Sequence, residues 1–223
     1  MNILLLGATG SIGDSVLSVI EENHSELNLF GITFHKNINK SQEIIKDFKP
    51  EFAYVEDRPT FEDLKDTNDI TFLNGDSSLK ELIEHDDVDV IISAISGFAG
   101  LKATYLAAST GKKILLANKE SIVAGGDLIT ARAKKFNSKI IPIDSEHNAI
   151  FQCLSGERSP DDVQKITITG SGGRFIGKKI SDLKKEQIWL NNYLSQKVTS
   201  INYLPTLLKD IKEEIEESSD YEI

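Results

Sequence analysis

The chain has 223 residues, 39% of them hydrophobic and 27% charged, with a formal net charge of −10 at pH 7. This composition is typical of a globular protein with a buried core, and the acidic balance disfavours a nucleic-acid-binding surface, which normally carries a basic excess. The single cysteine, Cys153, excludes an internal disulfide and fits a reducing compartment. No apolar run reaches membrane-span length and no signal peptide is visible, so we expect a cytoplasmic protein without a membrane or nucleic-acid partner.

The N-terminus predicts a strand, a glycine-rich turn and a helix in succession. The apolar run Asn2 to Leu6 is followed by Gly7-Ala-Thr-Gly10-Ser-Ile-Gly13, and residues 16–20 then show helical spacing. Gly7 permits a tight turn, Gly10 lets the backbone approach a pyrophosphate, and Gly13 allows close helix–strand packing. The helix N-terminus presents free N–H groups to phosphates. This pattern predicts a dinucleotide-binding loop, with a plain turn as the alternative.

The end of the second predicted strand distinguishes between the two nicotinamide cofactors. That strand runs from Leu27 to Phe34, and His35-Lys36-Asn37 follows it. A site for NADH would place Asp or Glu here to hold the ribose 2′-hydroxyl, whereas a cation and an amide suit a 2′-phosphate. The sequence therefore favours NADPH, unless Lys36 is only a solvated loop residue.

Strands and helices continue to alternate along the chain, which predicts an α/β fold with a doubly wound, Rossmann-like parallel sheet. The charged interval 56–76 is loosely patterned and predicts loop and short helix. We predict further strands over residues 51–55, 88–95, 112–117 and 140–143, and helices over 41–48, 79–85, 101–109 and from 122 to 133.

Charged residues follow the strand over 112–117, where open α/β sheets bind their ligands. The segment reads Asn118-Lys119-Glu120-Ser121. Lys119 is suited to hold a substrate phosphate or to polarise a hydroxyl group. The alternative is an ion pair between Lys119 and Glu120.

Two carboxylates follow the apolar run Ile140 to Ile143. If that run is a buried strand, Asp144 and Glu146 leave its end on the same side, because side chains alternate with period two. Converging carboxylates repel unless a cation or a shared proton compensates, and Mg²⁺ or Mn²⁺ prefers such oxygen ligands. The alternative is a solvated strand end with Ser145 capping the next helix.

A third polar site is predicted further along the chain. The alternating segment 163–169 predicts a strand, and Gly170-Ser171-Gly172-Gly173 follows it. The N–H groups of this turn and the Ser171 hydroxyl are suited to cradle a phosphate, although the segment by itself favours a glycine turn without a ligand.

Taken together in this order, four motifs resemble the 1-deoxy-D-xylulose 5-phosphate reductoisomerase family, the NADPH enzymes of the non-mevalonate isoprenoid pathway. The second and third are highly specific to that family. The resemblance covers residues 1 to about 183, roughly the first half of a family member. The motifs are Gly7-Ala-Thr-Gly-Ser-Ile-Gly13, Leu116-Ala-Asn-Lys-Glu-Ser121, Asp144-Ser-Glu-His-Asn-Ala-Ile-Phe-Gln152 and Thr169-Gly-Ser-Gly-Gly173.

The resemblance implies an oxidoreductase that isomerises the sugar phosphate 1-deoxy-D-xylulose 5-phosphate with Mg²⁺ or Mn²⁺ and reduces the product with NADPH to 2-C-methyl-D-erythritol 4-phosphate. It also implies a role for each matching residue. The cofactor would be held by the glycine loop (Gly7, Thr9, Gly10, Ser11, Ile12 and Gly13), by Lys36 and Asn37, and by Asn118 and Glu120. The substrate would contact Lys119, Ser145, Glu146 and Ser171. Lys119 and Glu146 would be the catalytic residues, and Asp144 and Glu146 would be the metal ligands.

The resemblance ends before the chain does. It predicts an NADPH-binding domain over residues 1–150, the start of a catalytic domain over 151–185, and a divergent acidic tail over 186–223. The last fifteen residues contain seven acids and two lysines, half of the net charge. The family's lid, its third acidic metal ligand and its C-terminal helical domain have no counterpart here, and Arg174-Phe-Ile replaces the usual Pro-Phe-Arg. We therefore expect little turnover from this chain alone, because near-attack geometry would be poorly held.

Other interpretations remain open on the sequence. Family members are homodimers, but their subunit contacts draw on parts not recognisable here. A non-catalytic NADPH-binding module would bind cofactor without turnover. A semialdehyde or homoserine dehydrogenase would need a catalytic Cys or a Lys–Asp pair, and Cys153 lies in a predicted amphipathic helix, where we expect a buried structural cysteine.

Overall fold

A computed structural model of the protein describes residues 1–66, 70–154, 163 and 165. All the elements below belong to one compact unit, Met1–Gln164. The predictions for residues 163–169 and for the glycine turn with Ser171 lie almost wholly outside the described residues, as do those for the acidic tail.

The described residues form one parallel sheet of seven strands in the order β4-β3-β2-β1-β5-β6-β7. The strand order reverses between β1 and β5, and in open α/β sheets ligands bind at the carboxyl ends of the strands beside such a reversal. The strands are β1 Asn2–Leu6, β2 Asn28–Phe34, β3 Phe52–Val55, β4 Thr71–Leu73, β5 Val90–Ser93, β6 Lys113–Leu116 and β7 Lys139–Pro142.

Helices connect the strands and cover the sheet. Each begins at the carboxyl end of a strand, which directs the helix N-termini towards one edge of the sheet. The helices are α1 Ser11–Glu22, α2 Ile38–Phe48, α3 Arg58–Leu64, α4 Asp76–Glu84, α5 Leu101–Ala107, preceded by a 3₁₀ turn Gly97–Gly100, α6 Lys119–Phe136 and α7 Ser145–Leu154.

The centre of the sheet is the core of the protein. Leu4, Leu5 and Leu6 of β1 and Ile91 of β5 have no solvent-exposed surface. Central parallel strands are covered on both faces, so they read as continuous apolar runs rather than as alternating ones. The predicted doubly wound α/β fold is confirmed.

Three expectations from the sequence need correction. The interval 56–76 contains a strand, β4, which at three residues is too short to show a pattern. The strand before Asp144 is half-buried rather than buried, because within the described ranges β7 is the edge strand and pairs only with β6. Cys153 is exposed, since α7 has no buried residue among those described.

Helix α2 begins three residues earlier than its apolar pattern indicated. The Asn37 side chain accepts a hydrogen bond from the Lys40 amide and so caps the helix. In the described part of the chain, no helix is both long and apolar enough to cross a membrane.

Candidate active site

The glycine loop, residues Gly7–Gly13, is fixed between β1, β2 and α1. Gly7 has a positive φ of 88°, and both its amide and that of Ala8 donate to the Thr33 carbonyl of β2, at 3.2 and 2.9 Å. The Thr33 hydroxyl accepts a second bond from the Gly7 amide at 2.9 Å. A Cβ on Gly13 would lie 2.2 Å from the Ala8 carbonyl oxygen, so only glycine allows α1 to pack this closely.

The loop leads directly into the N-terminus of α1. Gly10 is the N-cap residue, and it offers no side chain to the first amides of the helix. Thr9 is half-buried, whereas Ser11 and Ile12 are exposed. Unsatisfied amides at a helix N-terminus form an anion-binding site, which is the geometry that a pyrophosphate needs.

Lys36 and Asn37 follow the end of β2, where the sequence placed them, and both side chains are exposed. The Asp57 carboxylate responds to the charge of this region. Hydrogen bonds from Thr60 lower its pKa most, and the charges of His35 and Lys36 lower it further. An anion placed beyond β2 would therefore meet two basic side chains.

Asn118 is buried between two loops at the edge of the sheet. It is 2% exposed, and its side-chain oxygen accepts bonds from the Ser121 amide, at 2.7 Å, and from the Ser121 hydroxyl. Its side-chain amide donates to the carbonyls of Ile95 and, at 2.8 Å, of Gly97. The side chain predicted to bind cofactor thus ties the start of α6 to the loop after β5.

Lys119 forms an ion pair with Glu146, with 3.7 Å between Nζ and the nearer carboxylate oxygen. The two side chains are 50% and 45% exposed. The alternative pair with Glu120 does not form in the described part of the chain; Glu120 instead lines the same cleft as Lys119. The ion pair connects the N-termini of α6 and α7.

Asp144 caps α7 and contacts His147. Its carboxylate accepts hydrogen bonds from the His147 amide at 3.1 Å and from the His147 ring Nδ1 at 2.8 Å. Burial alone would raise the pKa of Asp144, but these hydrogen bonds outweigh burial and hold the pKa below its usual range. The N-cap residue of α7 is therefore Asp144, not Ser145.

The two carboxylates approach the site for a different reason from the one the sequence suggested. Strand β7 ends at Pro142, and Glu146 lies in the first turn of α7, so strand alternation does not relate it to Asp144. Each carboxylate is paired with a basic side chain. Among the described residues, no group of three or more potential metal-ligating side chains occurs.

A cleft of about 270 Å³ at the carboxyl edge of the sheet joins most of these segments. It brings together residues from four separate segments, including many of the predicted site residues. Glycine-loop residues other than Ile12, and also Lys36 and Asn37, lie outside its lining. The cleft is lined by Ile12, Ala94, Ile95, Ser96, Ala117, Asn118, Lys119, Glu120, Ile143, Asp144, Ser145 and Glu146.

Sequence reasoning missed three residues that shape this site. Thr33 holds the glycine loop, His147 holds Asp144, and Lys40 contacts the loop from α2. His147 could have been found, because a residue three positions after an N-cap aspartate donates its amide to that carboxylate. Thr33 and Lys40 act across chain separations of 26 and 31 residues, which leave no local signal.

Comparison with known families gives two adjacent matches. The family model of 1-deoxy-D-xylulose 5-phosphate reductoisomerase matches residues 3–126, and the model of that enzyme's C-terminal domain matches residues 140–191. The second match extends eight residues beyond the point near Leu183 where the resemblance in the sequence was last recognisable.

Individual relatives agree with the family match. A 1-deoxy-D-xylulose 5-phosphate reductoisomerase of Francisella tularensis subsp. novicida is 45% identical over 184 residues, which are 81% of this chain and 48% of the relative. A crystal structure of the reductoisomerase with NADPH, fosmidomycin and magnesium is 37% identical, with a TM-score of 0.75 over 82% of this chain and 48% of its own. The Zymomonas mobilis enzyme in complex with NADPH is 35% identical, with a TM-score of 0.73 over 81% of this chain and 48% of its own. The chain thus spans about half the length of the relatives it matches.

Proposed function

This chain belongs to the 1-deoxy-D-xylulose 5-phosphate reductoisomerase family, and we propose that it contributes the NADPH-binding domain of that enzyme and part of its metal and substrate site. The domain would occupy residues 1–150, the catalytic domain would start over 151–185, and residues 186–223 would form a divergent acidic tail. The single Cys153 supports a reducing, cytoplasmic location.

The observation that supports this proposal most strongly is the convergence of segments in one cleft. Ile12 of the glycine loop, the loop after β5, residues 118–120 after β6 and residues 144–146 after β7 all line it. A dinucleotide lying across the β1/β5 reversal would bring its reactive end towards Lys119 and the two carboxylates. A cofactor site and a polar reaction site would then share one wall.

The cofactor roles are proposed from this geometry. The amides at the start of α1, at Ser11 and Ile12, would bind the pyrophosphate, with Thr9 and the glycines shaping the loop. Lys36 and Asn37 would receive the 2′-phosphate of NADPH. The side chain of Asn118 is already saturated by protein groups, so its contact with the cofactor would come from its backbone, beside Glu120.

The chemical roles centre on the pair Lys119 and Glu146. In the proposed reaction, 1-deoxy-D-xylulose 5-phosphate is isomerised and then reduced by NADPH to 2-C-methyl-D-erythritol 4-phosphate. Lys119 would bind and orient substrate oxygens, and Glu146 would contact the substrate while also serving as a metal ligand. Ser145 would bind substrate from the start of α7, and Ser171 would do so from outside the described residues.

The carboxylates of Asp144 and Glu146 are suitable ligands for a hard divalent cation. Asp144 and Glu146 both line the cleft and offer only oxygen ligands, which Mg²⁺ and Mn²⁺ prefer. Mg²⁺ is commonly held by one or two carboxylates together with waters and substrate oxygens, so two protein ligands suffice for weak binding. When bound, the cation would polarise and orient substrate oxygens. Homodimer formation, as in the family, is proposed on the family match alone.

The test is an NADPH oxidation assay at saturating 1-deoxy-D-xylulose 5-phosphate with Mg²⁺ or Mn²⁺, paired with NADPH binding followed by fluorescence. We compare the wild-type chain with Asp144→Asn, and with Asp47→Asn on the exposed face of α2 as the matched control. Turnover that is lost in Asp144→Asn and retained in Asp47→Asn supports the full proposal and contradicts the expectation of little turnover from this chain alone.

Two other outcomes narrow or overturn it. Binding of NADPH without turnover would mean that the chain is a cofactor-binding module, and the proposal for the chemical step would fail for this chain. If the folded chain binds no NADPH, the proposed role of the glycine loop and Lys36 in cofactor binding is wrong as well.

A further inference from the structure

Lys40 occupies a position that no predicted role accounts for. It lies in the first turn of α2, and its ammonium group donates to the Thr9 carbonyl of the glycine loop at 3.2 Å. The same group lies 2.5 Å from the Asp14 carboxylate in the first turn of α1. One cation thus connects the glycine loop, α1 and α2.

The contacts of Lys40 differ from those of an ordinary surface ion pair. Exposed pairs contribute little, because water screens them and long side chains lose freedom. The Lys40 side chain is only 28% exposed, and it also bonds a backbone carbonyl in the middle of the loop. Asp14 is 57% exposed, so most of the constraint in this contact falls on the lysine.

Asp14 makes the charge of Lys40 important for a phosphate ligand. Its carboxylate lies in the first turn of α1, at the helix end that is proposed to receive the cofactor, and like charges repel. The ammonium of Lys40 offsets that carboxylate. Without Lys40, an uncompensated acid would be left in the first turn of α1, beside the glycine loop.

An uncompensated Asp14 carboxylate would disfavour the binding of NADPH more than that of NADH. In dinucleotide-binding sheets the ribose 2′ position lies next to the residues after the second strand, here Lys36 and Asn37, one helical turn before Lys40. A phosphate monoester at that position adds nearly two negative charges. An acid suits a free 2′-hydroxyl but repels a 2′-phosphate.

We propose that Lys40 is a specificity-determining residue for the 2′-phosphate: it neutralises Asp14 and thereby turns a site with an acid near the ribose into one that accepts NADPH. This inference rests on the proposed NADPH-binding function. It adds a residue from the second helix to a recognition site otherwise formed by the loop after β2.

The test measures dissociation constants for both NADPH and NADH on five full-length variants and the wild-type chain. Lys40→Met removes the charge, Lys40→Arg keeps it, Asp14→Asn removes the acid, and the double variant Lys40→Met/Asp14→Asn removes both. Lys46→Met, an exposed lysine in the last turn of the same helix, is the matched control. Thermal unfolding confirms that each variant is folded.

We expect Lys40→Met to lower the preference for NADPH over NADH by about tenfold, because the uncompensated Asp14 carboxylate would then repel the 2′-phosphate. Lys40→Arg and Lys46→Met should keep the wild-type preference, and adding Asp14→Asn to Lys40→Met should restore part of it. An equal loss for both nucleotides would overturn the inference, because Lys40 would then only brace the loop; so would an unchanged preference. If the wild-type chain binds neither nucleotide, the proposed function itself fails and the inference falls with it.

Discussion

Two corners of the candidate active site, the glycine-loop corner (Gly7–Gly13 with Thr33) and the carboxylate corner, are built in different ways. At the glycine loop, Thr33 is buried and bonds two loop amides, and Gly13 packs α1 directly on the backbone of Ala8. At the carboxylate corner, formed by Lys119 and residues Asp144–His147, β7 is a half-buried edge strand and α7 has no buried residue among those described. The glycine-loop corner is therefore held by the core, whereas the carboxylate corner is held by surface contacts.

The difference shows which part of the site is preorganised in the absence of a ligand. A loop fixed by buried backbone contacts keeps its geometry without a ligand, so cofactor binding needs little reordering. An ion pair between half-exposed side chains fixes geometry weakly. We expect NADPH binding to be insensitive to changes at the carboxylate corner, and stability to be sensitive to changes at the loop.

The largest effect is expected from Gly13→Val. The new Cβ would lie 2.2 Å from the Ala8 carbonyl oxygen, a backbone atom that cannot move away without displacing α1. We expect a loss of about 3 kcal/mol or more in the free energy of unfolding, at the upper end of overpacking costs, together with loss of NADPH binding. Denaturant unfolding measures the first and fluorescence titration the second.

The matched control for that change is Gly126→Ala in α6. Among the described residues, its Cβ would meet only the Ile122 side chain, at the ordinary distance of 3.4 Å. Alanine in a helix is favoured over glycine by about 0.5–1 kcal/mol, so this variant should be neutral or slightly more stable. Similar losses in both variants would mean that the loop is no more tightly built than an outer helix.

The next effect in size is expected at Asn118. Changing it to Asp keeps a good N-cap acceptor for Ser121 but places an oxygen against the carbonyls of Ile95 and Gly97. A buried carboxylate oxygen that faces two carbonyl oxygens and has no donor should cost about 2 kcal/mol or more. The measurement is the free energy of unfolding from denaturant titration.

Asn37→Asp provides the control for Asn118→Asp. Asn37 is an exposed N-cap whose side-chain oxygen accepts from the Lys40 amide, and Asn and Asp are about equally good at such a position. This variant should unfold within about 0.5 kcal/mol of the wild type. A loss at Asn37 as large as that at Asn118 would contradict the role given to the buried amide.

A smaller effect is expected from pH at Asp144. A carboxyl whose pKa is lower in the folded than in the unfolded protein stabilises the fold above its unfolded pKa, which is about 3.9 for Asp, and this stabilisation is lost as pH falls through the folded pKa. His147→Ala removes the ring hydrogen bond and should move the pKa of Asp144 upwards. Carbon NMR titration of the carboxyl group in metal-free protein measures it.

Asp57 is the internal control in the same titration. Its pKa is also lowered, chiefly by Thr60, and it should not respond to His147→Ala. If Asp144 titrates identically with and without the His147 ring, the contact between these side chains does not hold the carboxylate, and the carboxylate corner is looser than the structure indicates.

The smallest effect is expected from Glu146→Gln. It removes the ion pair with Lys119, whose partners are about half exposed, so the free energy of unfolding should change by less than about 0.5 kcal/mol. A loss comparable to that of Gly13→Val would break the contrast between the two corners. Differential scanning calorimetry at low and high salt measures the change and its screening.

The sequence predicted more of the structure of the glycine-loop corner than of the carboxylate corner, for a physical reason. The bounds of β1 and the roles of Gly7 and Gly13 follow from local rules on turns and close packing, and the structure agrees with both. The ion pair of Lys119 with Glu146 joins residues 27 positions apart, and local pattern could not choose it over Glu120. Strand β4 was missed because three residues carry no periodicity.

The placement of the two carboxylates was predicted for the wrong reason. Strand alternation fails at Pro142, where β7 ends, and the helix that follows decides where Glu146 lies. Sequence placed Asp144 and Glu146 at the correct edge of the sheet, because both follow a parallel strand. It could not place their partners: Lys119 comes from a neighbouring strand–helix unit, and His147 comes from the first turn of α7.

The most direct test of this account is the NADPH dissociation constant of the double variant Asp144→Asn/Glu146→Gln beside the wild-type chain. If the glycine-loop corner is preformed, the wild-type chain should bind NADPH tightly. The dissociation constant of the variant should lie within about threefold of the wild-type value, since changes away from a binding contact are usually worth less than ±0.5 kcal/mol. No binding by the wild type, or binding lost with the two carboxylates, would contradict the claim that the glycine-loop corner forms the cofactor site independently.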